Sequence, residues 1–207
     1  MLYLLQHFGQ IALLLGEHLQ MTLIAVGIGV GIALPLGAVV SDRVWLRVPL
    51  LGILGTVYTI PSLALMILLI PWFGLNATTV IVAMVLYIQI ILVRNVLVAL
   101  DSLPPDILEA ATGMGMTGWQ CWWWVKFPLI LPVFLAGVRL ATLVAISIAA
   151  IGAKFGAGGL GTLLFEGVQQ NRFDKIWAGT IVLAIAALLL HNGLRWLENW
   201  VSATGTE

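Results

Sequence analysis

The chain has 207 residues, 61% of them hydrophobic and 9% charged, and its nine basic and nine acidic residues give a formal net charge of zero. Soluble domains carry about 25% charged residues, so this composition cannot cover a water-exposed surface and predicts an integral membrane protein. The zero net charge leaves no basic field for nucleic acid. The single cysteine, Cys121, excludes an internal disulfide, and the lack of a G-x-x-x-x-G-K-[ST] motif means that any ATP would be bound by another subunit.

Five apolar stretches are long enough to cross a bilayer. A span needs about 20 apolar residues, because each residue adds 1.5 Å across a hydrocarbon core about 30 Å thick. Each span is predicted to be helical, since backbone groups in lipid must bond within their own segment and the period-two alternation of a barrel strand is absent. The predicted spans are residues 19–40, 49–70, 77–100, 129–151 and 176–194. Residues 1–16 are apolar but short and lack the basic start of a signal peptide, so we expect them to form an interfacial or docking helix.

Two long connections, residues 101–128 and 152–175, set the expected orientation. If residues 101–128 are cytoplasmic, that side carries Arg43, Arg47, Arg94, Lys126 and Arg195, and the other side carries Lys154, Arg172 and Lys175. The excess of basic residues follows the positive-inside rule. The N-terminus and the 152–175 loop are therefore predicted to be extracytoplasmic, and the C-terminus cytoplasmic.

Polar residues within the spans are candidates for lining a translocation path. Pro61 removes a backbone hydrogen bond and kinks the second span, so Tyr58 and Ser62 beside it can face such a path, as at helix interruptions of other transporters. The alternative is a packing kink without substrate contact. Arg139 lies well inside the fourth span, where an arginine marks either a functional site or a paired structural charge. Ser147 is a further lining candidate.

The 101–128 loop holds the motif that carries the functional argument. The sequence EAATGMG starts at Glu109 and ends at Gly115, and VKFP follows nine residues later and ends at Pro128. This resembles the E-A-A, three residues, Gly, nine residues, I-x-L-P signature of bacterial ABC importer permeases, with Val125 and Phe127 in place of Ile and Leu. The alternative is an ordinary cytoplasmic helical hairpin. The resemblance implies two short helices that bend at the glycine and dock on a cytoplasmic ATPase subunit, with these coupling residues: Glu109, Ala110, Ala111, Gly115, Val125 and Pro128.

Further segments narrow the resemblance. TIPSLA from Thr59, IPWFG from Ile70 and GAGGLG from Gly156 resemble permeases of the osmoprotectant subfamily, which import glycine betaine, choline and carnitine. The resemblance implies an all-α integral membrane protein of the MetI-like permease fold, with residues 1–207 as one domain in the bacterial inner membrane. It implies a second permease copy or paralogue and an extracytoplasmic substrate-binding protein, and no enzymatic activity or cofactor of its own. Methionine and polar amino-acid permeases share the loop motif and remain the alternative. A small membrane enzyme or a nucleotide-independent channel is a remote rival.

Three other features have competing interpretations. GAGGLG also spells a dinucleotide fingerprint, but that fingerprint needs a preceding strand; a tight outer turn is expected, and Gly156, Gly158, Gly159 and Gly161 are candidates for contacting the binding protein. The tryptophans at 119 and 122–124 are expected to anchor the chain at the membrane interface. The alternative, an aromatic cage for a quaternary ammonium group, is disfavoured by their distance from any mid-membrane path. The three histidines do not have metal-ligand spacing, so no metal site is predicted.

Overall fold

The computed structural model describes residues 2–204, and every regular element in that range is helical. Met1 and residues 205–207 of the predicted domain lie outside the described residues. Ten α-helices, with one π turn (Trp122–Lys126) and one 3₁₀ turn (Ala153–Phe155), follow one another along the described chain. The α-helices are α1 Leu2–Gln6, α2 Phe8–Val40, α3 Val44–Thr59, α4 Ser62–Phe73, α5 Ala77–Asp101, α6 Pro105–Gly113, α7 Gly118–Cys121, α8 Phe127–Gly152, α9 Gly161–Gln169 and α10 Phe173–Thr204.

Contacts between distant residues define two ends of the bundle. At the signature end, which contains residues 41–47 and 101–127, the Arg47 guanidinium donates to the Asp101 carboxylate at 3.0 Å. At the glycine-loop end, which contains residues 156–161, the backbone N–H of Gly159 donates to Glu17 at 2.8 Å. The chain passes between these ends in α2, in α3 with α4, in α5, in α8 and in α10. Within residues 2–204, four helical segments are individually long and apolar enough to span a membrane, and the bent pair α3–α4 makes a fifth span if it is counted as one.

The first membrane helix begins earlier than residue 19. α2 runs without a break from Phe8, so most of the predicted separate N-terminal helix forms the first turns of this span. The polar residues that suggest a boundary are bonded inside the bundle: Glu17 accepts from Gly159, and the His18 ring lies 3.1 Å from the carbonyl oxygen of Ile146. Because each of these two side chains has a protein partner, the helix continues through both residues.

The second span is more sharply broken than a proline kink predicts. α3 and α4 meet at 98° across Ile60 and Pro61. Ile60 has an extended backbone, with φ −68° and ψ 125°, and Pro61 follows with ψ 134°. Proline disfavours the α conformation of the residue before it, so α3 ends at Thr59 and α4 restarts at Ser62.

The core is built around α5, which lies between α2 and α8. Small residues let these helices approach closely, as is common in membrane bundles. Gln89 of α5 donates to the carbonyl oxygen of Gly29 at 3.2 Å, which ties α5 to α2 through a buried polar contact. The glycines of α2 and α8 that face side chains of α5 pair as follows: Gly29 with Ile88, Gly37 with Val96, Gly137 with Asn95 and Gly152 with Val80.

The fourth and fifth membrane helices extend beyond the predicted spans. α7, the π turn and α8 form one continuous helical segment, and with the 3₁₀ turn it covers the 38 residues Gly118–Phe155. The second half of the 101–128 loop is therefore the first part of this segment rather than a separate short helix. α10 runs over Phe173–Thr204 and packs against α8 and α9.

Candidate coupling surface and translocation path

The signature residues form a short helix followed by a turn. α6 begins at Pro105, where proline is compatible with the first turn of a helix. Glu109 and Ala110 are exposed on it, whereas Ala111 is 1% exposed and accepts a hydrogen bond at 3.2 Å from the backbone of Met116. α6 ends at Gly113, and Gly115 then has φ 76°, a left-handed conformation that favours glycine. The chain therefore turns here, and Glu109 and Ala110 are left accessible to another protein.

A capping box starts the helical segment that follows the turn. The Thr117 hydroxyl accepts from the backbone of Gln120, whose side chain accepts in return from the backbone of Thr117 at 2.8 Å. Val125 lies half-buried in the π turn, and Pro128 is exposed at the second position of α8. A shallow cavity of about 350 Å³ opens between this segment and the turn, and it is lined by Met114, Gly115, Met116, Gln120 and Trp124. The sequence did not predict this cavity.

The break between α3 and α4 brings together the first group of predicted path residues. Tyr58, 40% exposed, ends near Tyr87 of α5, with the ring centroids 4.8 Å apart. Pro61 is exposed and Ser62 half-exposed at the start of α4. A helix end leaves backbone groups without intrahelical partners, and such groups occur at membrane depth only where protein or water satisfies them. The break is therefore a polar point in an otherwise apolar bundle.

The Arg139 side chain contacts α10 rather than the α3–α4 break. Its Nε lies 3.3 Å from Oε2 of Glu198, and its terminal nitrogen lies 3.4 Å from Nε2 of His191. The Arg139–Glu198 contact has the distance of an ion pair but not the alignment of a hydrogen bond. Both partners lie on α10, seven residues apart, so the charge joins α8 to α10 at its intramembrane position. Of the two sequence interpretations, these contacts favour the paired structural charge.

Ser147 is exposed on α8, and its hydroxyl donates at 3.0 Å to the carbonyl oxygen of Leu143 one turn earlier. The described contacts join neither Ser147 nor Arg139 to the α3–α4 break. The predicted path residues are thus separated into one group at the break and two single positions on α8.

The glycine-rich loop packs against the membrane helices. Gly156, Gly158 and Gly159 have φ values of 73°, 75° and 78°, which only glycine adopts readily. A Cβ at Gly161 would lie 2.8 Å from the carbonyl carbon of Ala150 and overlap its oxygen. Gly159 and Gly161 are buried, whereas Gly156 is exposed. Of these three glycines, Gly156 is therefore the one that another protein could contact directly.

Charges at the glycine-loop end pair with one another. Lys175 donates to Glu166 at 2.7 Å, and Arg172 donates to Asp174 at 3.2 Å through its Nε. Within residues 2–204, no cluster of His, Cys, Asp and Glu has an arrangement that could hold a metal ion. Sequence reasoning missed the buried His18 and the Glu198 partner of Arg139, although a single polar residue within an apolar helix is itself the signal for such contacts.

Comparison with known proteins places this arrangement in a family. Residues 25–203 match the family described as binding-protein-dependent transport system inner membrane component. The osmoprotectant import permease protein OsmW of Salmonella typhimurium is 40% identical over 193 residues, which cover 91% of this chain and 90% of that protein. The glycine betaine/carnitine/choline transport system permease protein OpuCB of Bacillus subtilis is 31% identical over 207 residues, covering 100% and 95% of the two chains.

A solved structure shares the fold. A chain of the MetNI methionine ABC transporter, in an inward-facing conformation, matches with a TM-score of 0.82 over 89% of this chain and 93% of its own length, at 22% identity. The MetI-like fold implied by the sequence is therefore confirmed. The chain belongs to the family of inner membrane components of binding-protein-dependent transport systems, and it is a membrane-spanning permease subunit.

Proposed function

We propose that this permease carries quaternary ammonium osmoprotectants of the glycine betaine, choline and carnitine type into the cytoplasm. The observation that supports this most directly is the 40% identity, over nine-tenths of both chains, to a protein named as an osmoprotectant import permease. Relatives named for carnitine and choline transport, at 31–35% identity, add to it. The MetNI likeness carries no weight for the substrate, because at 22% identity it speaks only to the fold.

The signature end is proposed to be cytoplasmic and to receive a separate ATPase subunit. Glu109 and Ala110 are exposed on α6 next to the turn at Gly115, and a small side chain such as Ala110 allows a partner surface to approach the helix backbone. Val125 and Pro128 follow in the helical segment that continues into α8. The permease would have two arrangements, and the ATPase subunit would make different contacts with each of them. ATP binding and hydrolysis on that subunit would then shift the equilibrium between the two arrangements.

The opposite end is proposed to receive the extracytoplasmic binding protein, with Gly156 on its exposed surface. The substrate would pass near the α3–α4 break, where Tyr58, Pro61 and Ser62 interrupt the apolar bundle. A second copy or a paralogue would complete the path. Large apolar side chains are exposed along the membrane helices and would be covered by lipid or by that second permease. They include Ile53, Ile67, Leu140, Trp177 and Leu188.

Uptake by a reconstituted complex tests the substrate class. The permease is placed in liposomes with ATP, a cognate ATPase subunit and a cognate binding protein, and uptake of radiolabelled glycine betaine, choline and methionine is compared. We expect ATP-dependent uptake of at least one quaternary ammonium compound and none of methionine. Methionine uptake without quaternary ammonium uptake would transfer the assignment to the amino-acid alternative.

A pair of glycine substitutions tests the coupling surface. Gly115→Ala forces an alanine into φ 76°, which costs about 1–2 kcal/mol in that conformation, although no atom would clash with the new Cβ. Gly113→Ala is the matched control, because Gly113 is helical and its Cβ would also meet nothing within 4 Å. We expect Gly115→Ala to lower ATPase stimulation by loaded binding protein several-fold while Gly113→Ala preserves it. Equal stimulation in both variants would remove this turn from the coupling mechanism.

A further inference from the structure

A second cavity lies at the signature end, between the end of α2 and the helical segment that precedes α8. It has a volume of about 560 Å³, within the range of small-molecule sites. Its walls include three indoles and a phenyl ring from one face of the segment, one ammonium group from the same segment, and one carboxylate from the turn that follows α2. These residues are Trp119, Trp122, Trp123, Phe127, Asp42 and Lys126.

The aromatic wall follows from the spacing of these residues. Trp119, Trp123 and Phe127 recur every four residues and therefore share a helix face. Trp119 meets Trp123 edge to face at 5.5 Å between centroids, and Trp123 meets Phe127 at 5.3 Å with a tilt of 57°. An edge-to-face contact covers part of one ring face, but Trp119 is 72% exposed and Trp123 is 44% exposed, so indole surface remains available to a ligand. The π turn that contains Trp122 adds to the argument, since such turns are frequent at functional sites.

Two opposite charges border this wall without satisfying each other. Within the described chain, neither the Asp42 carboxylate nor the Lys126 ammonium forms an ion pair, although both line the same cavity. A cation is attracted to indole faces and to a carboxylate, and a carboxylate is attracted to an ammonium group. The arrangement is complementary to a small molecule that carries both charges, with a bulky cationic head for the aromatic wall.

We propose that this cavity, here named the tryptophan cavity, binds a small zwitterionic quaternary ammonium compound at the cytoplasmic end of the permease. The cationic head would lie against Trp119 and Trp123 beside Asp42, and the carboxylate would point to Lys126. The site is separate from the α3–α4 break and is accessible to molecules already inside the cell. The distance of these tryptophans from a mid-membrane path therefore argues against a transport site but not against this one. The choice of ligand class rests in part on the proposed function, while the charges and rings of the cavity support it independently.

Binding to the purified full-length permease tests the proposal without the ATPase or the binding protein. The permease is placed in nanodiscs of phosphatidylethanolamine and phosphatidylglycerol, which contain no choline headgroup, and labelled glycine betaine is titrated by scintillation proximity. We expect saturable binding that Trp119→Leu and Asp42→Asn each weaken about fivefold or more. Trp119→Phe keeps an aromatic face and should weaken binding less than Trp119→Leu. The matched control is Trp124→Leu, because Trp124 is 78% exposed and does not line this cavity.

Ligand chemistry separates the two charges. Lys126→Gln should weaken glycine betaine binding but not choline binding, because choline has no carboxylate. The neutral isostere 3,3-dimethylbutanol should compete poorly, because it has the shape of choline without the cation. Equal competition by this alcohol would make the cavity a plain apolar pocket, and the proposal would be overturned. Tightly bound lipid that glycine betaine cannot displace, detected by native mass spectrometry, would overturn it as well.

A control at the translocation path distinguishes the two sites. Tyr58→Leu should leave unchanged the component of glycine betaine binding that Trp119→Leu and Asp42→Asn weaken. If Tyr58→Leu abolishes binding while the Trp119 and Asp42 variants preserve it, the ligand occupies the path and the tryptophan cavity is not a site. Transport of glycine betaine without any binding at the cavity would refute this inference alone, whereas cavity binding without transport by the reconstituted complex would refute the proposed function alone.

Discussion

Breaking the contact between Arg139 and Glu198 is expected to destabilise the bundle by leaving one charge unpaired between helices. Removing one partner of a buried ion pair costs about 3–5 kcal/mol. These side chains are 23% and 22% exposed, so water reaches them in part and we expect Arg139→Met to cost roughly 2–3 kcal/mol. For a chain of this size that corresponds to a fall in apparent melting temperature of roughly 4–12 °C.

A double-mutant cycle separates the pair from the packing of its side chains. Arg139→Met, Glu198→Met and the double variant are melted in the same detergent, and folding is followed by the loss of a monodisperse chromatographic peak. The double variant should recover to within about 1 kcal/mol of the parent, because no charge is left alone. Arg94→Met is the control: Arg94 is exposed and forms no ion pair within the described chain, so its effect should be about 0.5 kcal/mol or less. A stable Arg139→Met single variant, or a double variant no better than the singles, would refute the structural role of this pair.

Two further substitutions, each with a matched control, test the contacts at the glycine-loop end. Gly161→Ala should abolish folded protein in a thermal assay or lower its melting point severely, because the new Cβ overlaps backbone atoms of Ala150 that no rotamer change can move. The control is Gly16→Ala, whose Cβ meets nothing within 4 Å on a helix, and it should be neutral or stabilise the protein by up to about 1 kcal/mol. Similar behaviour of the two variants would contradict this packing. Glu17→Ala removes the acceptor of the Gly159 N–H and should lower the free energy of unfolding by about 1–3 kcal/mol. Glu17→Gln keeps an acceptor oxygen and should melt close to the parent. Equal losses of stability in both variants would show that the hydrogen bond contributes little.

The membrane class and the family are predictable from sequence for separate reasons. A charged fraction of 9% fixes the class, because it is too small for a water-exposed surface. The spacing from Glu109 to Pro128 points to the family, because it matches the E-A-A…Gly…I-x-L-P signature of importer permeases at fixed intervals along a short segment. Both signals are local or compositional, so they do not depend on which helices pack together.

The features that the sequence left open depend on tertiary contacts. His18 and Glu17 have the polarity of a helix boundary, and only their partners on α8 and in the glycine-rich loop explain why α2 continues through them. Arg139 has two equally reasonable interpretations until Glu198 is found beside it. Pro61 predicts a kink but not the 98° angle between α3 and α4, which accompanies the packing of α4 against α5.

The uninterrupted helical segment from Gly118 to Phe155 has a mechanical consequence. Its 38 residues extend over roughly 55 Å, so it acts as a stiff rod that joins the two faces of the membrane. A tilt of about 5° about one end of this segment would displace the other end by roughly 5 Å. The π turn at Trp122–Lys126 is one place where such a movement could be absorbed, and a small molecule bound against that turn would change how much of the movement reaches the other face of the membrane.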